Sequence, residues 1–311
     1  MFKKAQLLFL YTETPLHVGS GSSLGTVDLP IQRERHTNLP MIQSTGIKGK
    51  LRKVFDGNGS NKEVIKIIFG PEGEGASEHA GALSPGDGRL LLFPVRSLAG
   101  VFAWITCPLV ISRFLRDLKL AHPSHAQHWG INANNSEAFV PPESNLLLNQ
   151  DTVILEEFSF SAQSNNETKN LAEWLAENVL PTGSEYNFWR EKMKKDLVVI
   201  SDEAFKDFCK FSTDVVSRTK LNIETKIVEK GALWTEENIP SDALLYTPLF
   251  ACDPRSGKGQ DVPNEVENAE KIMGYICHSI TNSHPRLQLG GNETVGRGII
   301  ATRITNFDEI N

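Results

Sequence analysis

The side chains with the most chemical reach in this chain gather between Pro15 and Arg52 and in a glycine loop near the C-terminus. Asp28 stands alone in a loop rich in Gly, Ser and Thr. A carboxylate of ordinary pKa, about 3.9, is ionised at neutral pH, so it suits holding a divalent cation such as Mg²⁺ better than acting as a strong base. The plainer role for an aspartate there is forming a turn. His17 flanks the same loop, and imidazole is the side chain suited to moving protons near neutral pH. Between Gln32 and Lys53 lie Arg33, Arg35, Lys48, Lys50, Arg52 and Lys53 against Glu34 alone, in a chain of formal net charge −6. That contrast marks one basic groove on an acidic body, as a polyanion would require, with a solvated charged face as the alternative.

The second stretch is Gly290-Gly291-Asn292-Glu293-Thr294-Val295-Gly296-Arg297-Gly298, set between two extended runs. Glycines there would let backbone N–H groups approach a phosphate, and Arg297 adds charge; a tight strand-to-strand connection is the other reading. No Lys-Ser/Thr pair follows the last glycine, so it is not a P-loop. Glu236 and Glu237 are strand-end acids by default. His122, His125 and His128 recur every third residue, but Pro123 interrupts them and the spacing drifts around a helix, so no zinc site is expected.

These residues need a scaffold, and the hydrophobic pattern supplies one. Residues 5–11 are nearly all apolar, as in a strand buried on both faces. Ser44 or Thr45 can cap a helix reaching about Phe55, with Ile47, Leu51 and Phe55 facing inward and Lys48 and Arg52 on another face. A short helix is expected at Glu63–Phe69. Arg89–Val95 and Val101–Cys107 form a hairpin, with Pro94 marking an edge or bulge. A helix follows from Pro108 to about Leu120. The middle of the chain adds a strand at Thr152–Ser159 and helices near Glu167–Val179 and Ser201–Ser212. An extended pattern runs from Arg218 to Trp234, with a turn near Glu229-Lys230-Gly231. Ala243–Ala251 reads as a strand, 266–280 as a helix, and Arg286–Leu289 and Gly298–Ile304 as the closing extended runs. Strand, helix, hairpin, helix is the opening order of a ferredoxin-like unit.

No run approaches about 18 apolar residues, so no membrane span is expected. Lys3 and Lys4 precede an apolar run bracketed by Gln6, Thr12 and Glu13, which reads as the first strand of a cytoplasmic protein and not as a signal peptide. The four cysteines are scattered without C-x-x-C spacing, as core thiols in a reducing compartment would be.

In this order the pieces resemble a known family. Ser44-Thr45-Gly46-Ile47-Lys48-Gly49-Lys50-Leu51-Arg52 resembles the S-x-x-K-G-x-x-R signature of the RAMP superfamily of CRISPR proteins, and 290–298 resembles its C-terminal glycine-rich loop. His17 to Gly21, Val27 to Glu34, Phe93 to Ser97 with Thr106-Cys107-Pro108, and Gly231 to Glu237 resemble the backbone subunit of type III-B (Cmr) effector complexes. The resemblance spans nearly the whole chain. It implies an α+β fold across 1–311: a modified RRM or ferredoxin-like palm with inserted helical segments and a protruding thumb β-hairpin. Within it, 57–88 would be a surface excursion, approximately 121–216 a helical insertion and approximately 218–240 the thumb.

The resemblance also implies a function. Copies of the subunit would stack in a filament on a guide RNA, beside other type III-B subunits, as part of antiviral defence. Arg33, Ser44, Lys48, Lys50, Arg52, Gly290, Gly291, Gly296, Arg297 and Gly298 would contact RNA. The thumb would wedge into the guide–target duplex and distort the target RNA at regular intervals. Asp28 would act at each distortion in divalent-metal-dependent cleavage, with Mg²⁺ the expected ion and His17 and Glu236 in auxiliary roles. A non-catalytic scaffold, and a metal-free guide-processing nuclease using His17 or His36, are the competing expectations.

Overall fold

The computed structural model describes residues 1–57, 61–73, 79–124, 127–255 and 262–305. In chain order its strands and helices are β1 (Lys4–Thr12), β2 (Met41–Ile42), α1 (Ser44–Gly57), α2 (Lys62–Phe69), β3 (Leu83–Pro85), β4 (Gly88–Arg96), β5 (Phe102–Thr106) and α3 (Pro108–Ala121). There follow β6 (Glu137–Val140), β7 (Thr152–Leu155), β8 (Phe158–Ser164), α4 (Asn166–Asn178), α5 (Asn187–Lys195), β9 (Leu197–Val199) and α6 (Asp202–Phe211). The chain closes with β10 (Asp214–Leu221), β11 (Val228–Asn238), β12 (Leu244–Ala251), α7 (Ala269–Ser283), β13 (Arg286–Gln288) and β14 (Ile299–Ile304).

β1 organises the rest. Its apolar run is buried on both faces, as expected, because it lies between β12 and β14 inside a mixed sheet ordered β13-β14-β1-β12-β4-β5-β9-β6-β8-β7. α3 and α7 pack over these strands. Both neighbours of β1 are antiparallel to it, with Tyr11 opposite Leu244 and Thr12 opposite Ile300. An antiparallel neighbour starts where β1 ends. The loop after β1, the segment entering β12 and the segment entering β14 therefore meet at one end of the sheet. Those are the three segments that carry the candidate chemistry.

α1 buries Ile47, Leu51 and Phe55, the expected stripe. Its N-terminus differs from expectation. Ser44 is already helical, and its N–H donates to the Asp87 carboxylate at 2.9 Å, so an acid from the strand region caps the helix from outside. Pro94 lies where β4 has only β5 beside it, past the residues paired with β12, so its missing N–H is tolerated.

The segment expected as a surface excursion, 57–88, sends two elements back to the body. α2 buries Val64, Ile65, Ile67, Ile68 and Phe69, and β3 pairs with β12. The segment expected as a helical insertion, roughly 121–216, contains β6, β7, β8 and β9 as well as helices, and these strands extend the sheet beyond β5. The strand expected at Thr152–Ser159 is divided by a turn at 156–157 into β7 and β8, while β6 and β9, of four and three residues, leave too few alternations for the pattern to show in sequence.

Outside the large sheet, β10 and β11 form a separate two-stranded hairpin. It starts at Asp214, ahead of the expected 218, and its turn lies at 222–227 instead of 229–231. Asn222 builds that turn: its side-chain oxygen accepts from the N–H groups of Glu224 and Thr225, both at 3.0 Å. Gly231, with φ +79, falls inside β11 where the register shifts between Thr219 and Leu221, so it is a bulge residue. Leu221, Ile223, Ile227 and Leu233 are exposed on this hairpin.

Among the described residues no helix is long and apolar enough to cross a membrane. No group of three or more His, Cys, Asp and Glu side chains there could hold a metal ion. His125 lies outside the described residues, so the histidine triplet is seen only in part.

Candidate active site

Asp28 is exposed, yet it is held from one side. Its Oδ2 accepts from the Thr235 backbone N–H at 2.7 Å and from the Thr235 hydroxyl at 2.9 Å, while its own N–H donates to Thr235 Oγ1 at 2.9 Å. Leu29 N donates to Thr235 O at 3.0 Å, and Glu237 N donates to Leu29 O at 3.0 Å, so the loop runs as a short parallel partner of β11. The Thr235 N–H, then its hydroxyl, hold the Asp28 carboxyl below its ordinary pKa. The carboxylate is thus an anion at neutral pH with Oδ1 outside this set of bonds.

Two residues beyond Thr235 on β11, Glu237 does the same work in a drier place. Its Oε2 accepts from Ile31 N at 3.0 Å, and its Oε1 accepts from Arg33 Nη2 at 2.5 Å and from the Thr213 hydroxyl at 2.8 Å. Arg33 also donates to the carbonyls of Asn38 and Cys209, both at 3.0 Å. Its guanidinium is turned inward and spent on holding the loop, leaving it unavailable to a phosphate.

His17 is buried beneath the glycine loop. Its Nδ1 lies 2.7 Å from the Glu237 carbonyl oxygen, which can only accept, so that nitrogen carries a proton. Its backbone carbonyl accepts from Gly291 N at 2.9 Å. His17 and Asp28 therefore hang from the same strand at Glu237 and Thr235. Glu236, between those two, points to the opposite face, where it is 2 % exposed and paired with Arg218 at 3.1 Å. It is a buried structural acid in this geometry.

The glycine loop is built differently from a phosphate cradle. The N–H groups of Gly291, Gly296, Arg297 and Gly298 donate to His17, Glu293, Asn292 and Pro15 carbonyls respectively, so they already have acceptors. Gly290 has φ +72, and a Cβ there would stand 2.3 Å from the His17 carbonyl oxygen; Gly298 has φ +73, and a Cβ there would stand 1.9 Å from the Leu289 carbonyl oxygen. Gly290 lets the loop press against His17 in the segment after β1, and Gly298 lets the two ends of the loop close on each other. Gly298→Ala is expected to cost on the order of 2–3 kcal/mol from the left-handed backbone and the clash together, read as a lower urea midpoint. Arg297 reaches Asp214 at 3.7 Å, at the base of the hairpin.

On α1 the three expected RNA-contacting cations have different fates. Arg52 donates to the Gly70 carbonyl at 2.6 Å and pairs with Glu72 at 2.7 Å. Lys50 donates to Gln288 Oε1 at 3.3 Å, and Gln288 in turn donates to the carbonyls of Leu289, Gly290 and Arg297, which ties the helix to the glycine loop. Lys48 is half-buried and makes no ion pair among the described residues. Burial, then the nearby Arg52 and Arg255, push its ammonium below the ordinary lysine range. An unpaired cation beside two others is a place for an anion.

Thr235, Glu237, Asp87 and Gln288 were not singled out from sequence as site residues. Period-2 alternation along Gly231 to Glu237 is the signal that finds two of them, since it sets Thr235 and Glu237 on one face and Glu236 on the other.

A model of the RAMP superfamily matches residues 9–301. The chain belongs to the RAMP superfamily. Within that superfamily it is 41% identical over 298 residues to the CRISPR system Cmr endoribonuclease Cmr4 of Pyrococcus furiosus, covering 96% of this chain and 94% of that one. It is 26% identical over 314 residues to the CRISPR system CMR subunit Cmr4 of Saccharolobus solfataricus, covering 96% of each. A crystal structure of oligomeric Cmr4 from Pyrococcus furiosus superposes with a TM-score of 0.72 at 32% identity, covering 97% of this chain and 98% of that one. The fold is also that of a chain in the cryo-EM structure of the type III-B Cmr-beta complex bound to cognate target RNA, with TM-score 0.71 at 20% identity, covering 97% and 98%.

Proposed function

We propose that this RAMP protein is the target-cleaving endoribonuclease subunit of a type III-B CRISPR effector, acting in copies stacked along a guide RNA. One observation carries the reading: exposed Asp28 presents an ionised carboxylate with Oδ2 fixed by Thr235 and Oδ1 outside those bonds, beside a hairpin with exposed aliphatic side chains. The likeness to a Cmr endoribonuclease over almost the full chain supports it.

The chemistry asked of the protein is mostly positioning. The exposed Leu221, Ile223, Ile227 and Leu233 of the hairpin press between guide and target bases and splay the target strand. A splayed nucleotide can bring its 2′-oxygen in line with its own phosphate; that oxygen bonds to phosphorus, its proton passes to solvent, and the 5′-oxygen leaves. Lys48 holds guide phosphate from α1, and Arg297 adds charge at the hairpin base. Mg²⁺ keeps several waters and takes one or two carboxylates together with substrate phosphate oxygens, a demand that a single exposed carboxylate oxygen fits. Asp28 Oδ1 is the atom that would hold it, and the ion would offset charge on the scissile phosphate. His17 acts by buttressing the loop and Glu236 by bracing Arg218 inside the hairpin.

The test is cleavage of a labelled complementary RNA by the complex reconstituted on its guide, with Mg²⁺ and with EDTA. Cleavage at regular intervals is expected with Mg²⁺, and binding without cleavage in EDTA. Equal cleavage in EDTA would discard the metal and leave the strained 2′-oxygen to act alone.

A further inference from the structure

We propose that Thr235 is a positioning residue for Asp28, making the hairpin the element that decides where the carboxylate stands. The inference rests on the assignment of Asp28 to target cleavage and goes beyond it in naming what aims that group.

The loop around Asp28 has little of its own to hold it. Ser20, Ser23 and Gly25 bond only within the loop, to Pro30 O, Asp28 O and Ser23 Oγ, and residues 19–26 are exposed. At Asp28 itself Thr235 supplies an outside anchor, making three hydrogen bonds with two of its atoms. Its N–H and its hydroxyl both donate to Oδ2, and its hydroxyl oxygen accepts from Asp28 N–H. A hydroxyl can do both at once, because it has one proton and two lone pairs. Two donors on one carboxylate oxygen leave the other outside these bonds, so Thr235 sets which atom is offered to the RNA. Among the described residues no ion pair reaches Asp28, and Glu236 and Glu237, the charged neighbours on β11, are engaged by Arg218 and Arg33. Because Thr235 belongs to β11, a hairpin seated on RNA carries the acid with it.

Thr235→Val and Thr235→Ser separate this role from packing. Valine keeps the shape and strand preference but can neither donate nor accept; serine loses the methyl group and keeps both. In single-turnover cleavage by the guide complex, Thr235→Val is expected to be about tenfold slower or more, at unchanged target affinity, since small misplacements of a reacting group cost that much. The acid limb of its pH profile should move to higher pH, because the hydroxyl no longer favours the anion. Thr235→Ser should restore both rate and profile to within about threefold. Wild-type cleavage by Thr235→Val, or equal loss in both variants, would overturn the inference. Asp28→Ala is run alongside. If it cleaves normally, the assignment of Asp28 itself has failed; if it is inactive while Thr235→Val is normal, only the role of Thr235 has failed. Should Thr235→Val not assemble, the Asp28 carboxyl carbon is titrated by NMR in the isolated full chain. A midpoint higher in the valine chain than in the threonine and serine chains is expected, and equal midpoints would refute the coupling.

Discussion

Asp28→Ala is expected to lower target cleavage by about 100-fold or more, while the guide complex assembles and binds complementary RNA as before. The expectation follows from where the residue sits. Asp28 is exposed, its contacts are confined to Thr235 and the loop, and it packs against nothing in the core. Deleting the side chain leaves the backbone pairing of Leu29 with β11 in place, since Leu29 N to Thr235 O and Glu237 N to Leu29 O do not involve it. What disappears is a charge at a fixed point. Asp28→Asn tests that directly, because its amide oxygen can still accept from Thr235 while carrying no charge; it should be nearly as inactive as the alanine variant. Measured as single-turnover rate beside equilibrium binding, unchanged cleavage in both variants would return the chain to the role of a scaffold.

Glu237→Ala should instead damage the fold and the activity together. Its carboxylate satisfies Ile31 N, Arg33 Nη2 and the Thr213 hydroxyl, and both it and Arg33 are largely shielded from water. Removing it strands a guanidinium and a buried N–H without the partner they need, a loss on the order of 3–5 kcal/mol. The damage would spread along the loop. Ile31 and Arg33 hold the segment that carries Asp28, so cleavage should fall even at temperatures where the variant remains folded. Thermal or urea unfolding gives the first effect and single-turnover cleavage the second. Glu237→Gln, which keeps the shape and an acceptor, should lose less of both. A stable and fully active Glu237→Ala protein would mean that the loop is held from elsewhere.

Much of this architecture was legible before any coordinates. The stripe Ile47, Leu51, Phe55 and the unbroken apolar run of β1 stand where periodicity places them, and the helix expected from Ser201 begins there, with the Ser201 hydroxyl accepting from Ala204 N. The grouped motifs likewise led to the RAMP superfamily, to which the chain belongs. Short strands such as β6 and β9 escaped because a few residues carry no readable period.

Charge was a different matter. Composition and spacing marked Arg33, Lys48, Lys50 and Arg52 as one basic stretch, yet the structure turns Arg33 inward, ties Lys50 to Gln288, pairs Arg52 with Glu72 and leaves Lys48 without an ion pair among the described residues. The partner of Arg33 lies 204 positions away in the chain, and Thr235 lies 207 from Asp28. Periodicity reports which side of a segment meets the core, because that depends on neighbours within a turn or two. Which carboxylate meets which cation, and which oxygen of Asp28 stays free, depends on the antiparallel neighbours of β1 bringing three distant segments to one end of the sheet. Only the tertiary structure decides that.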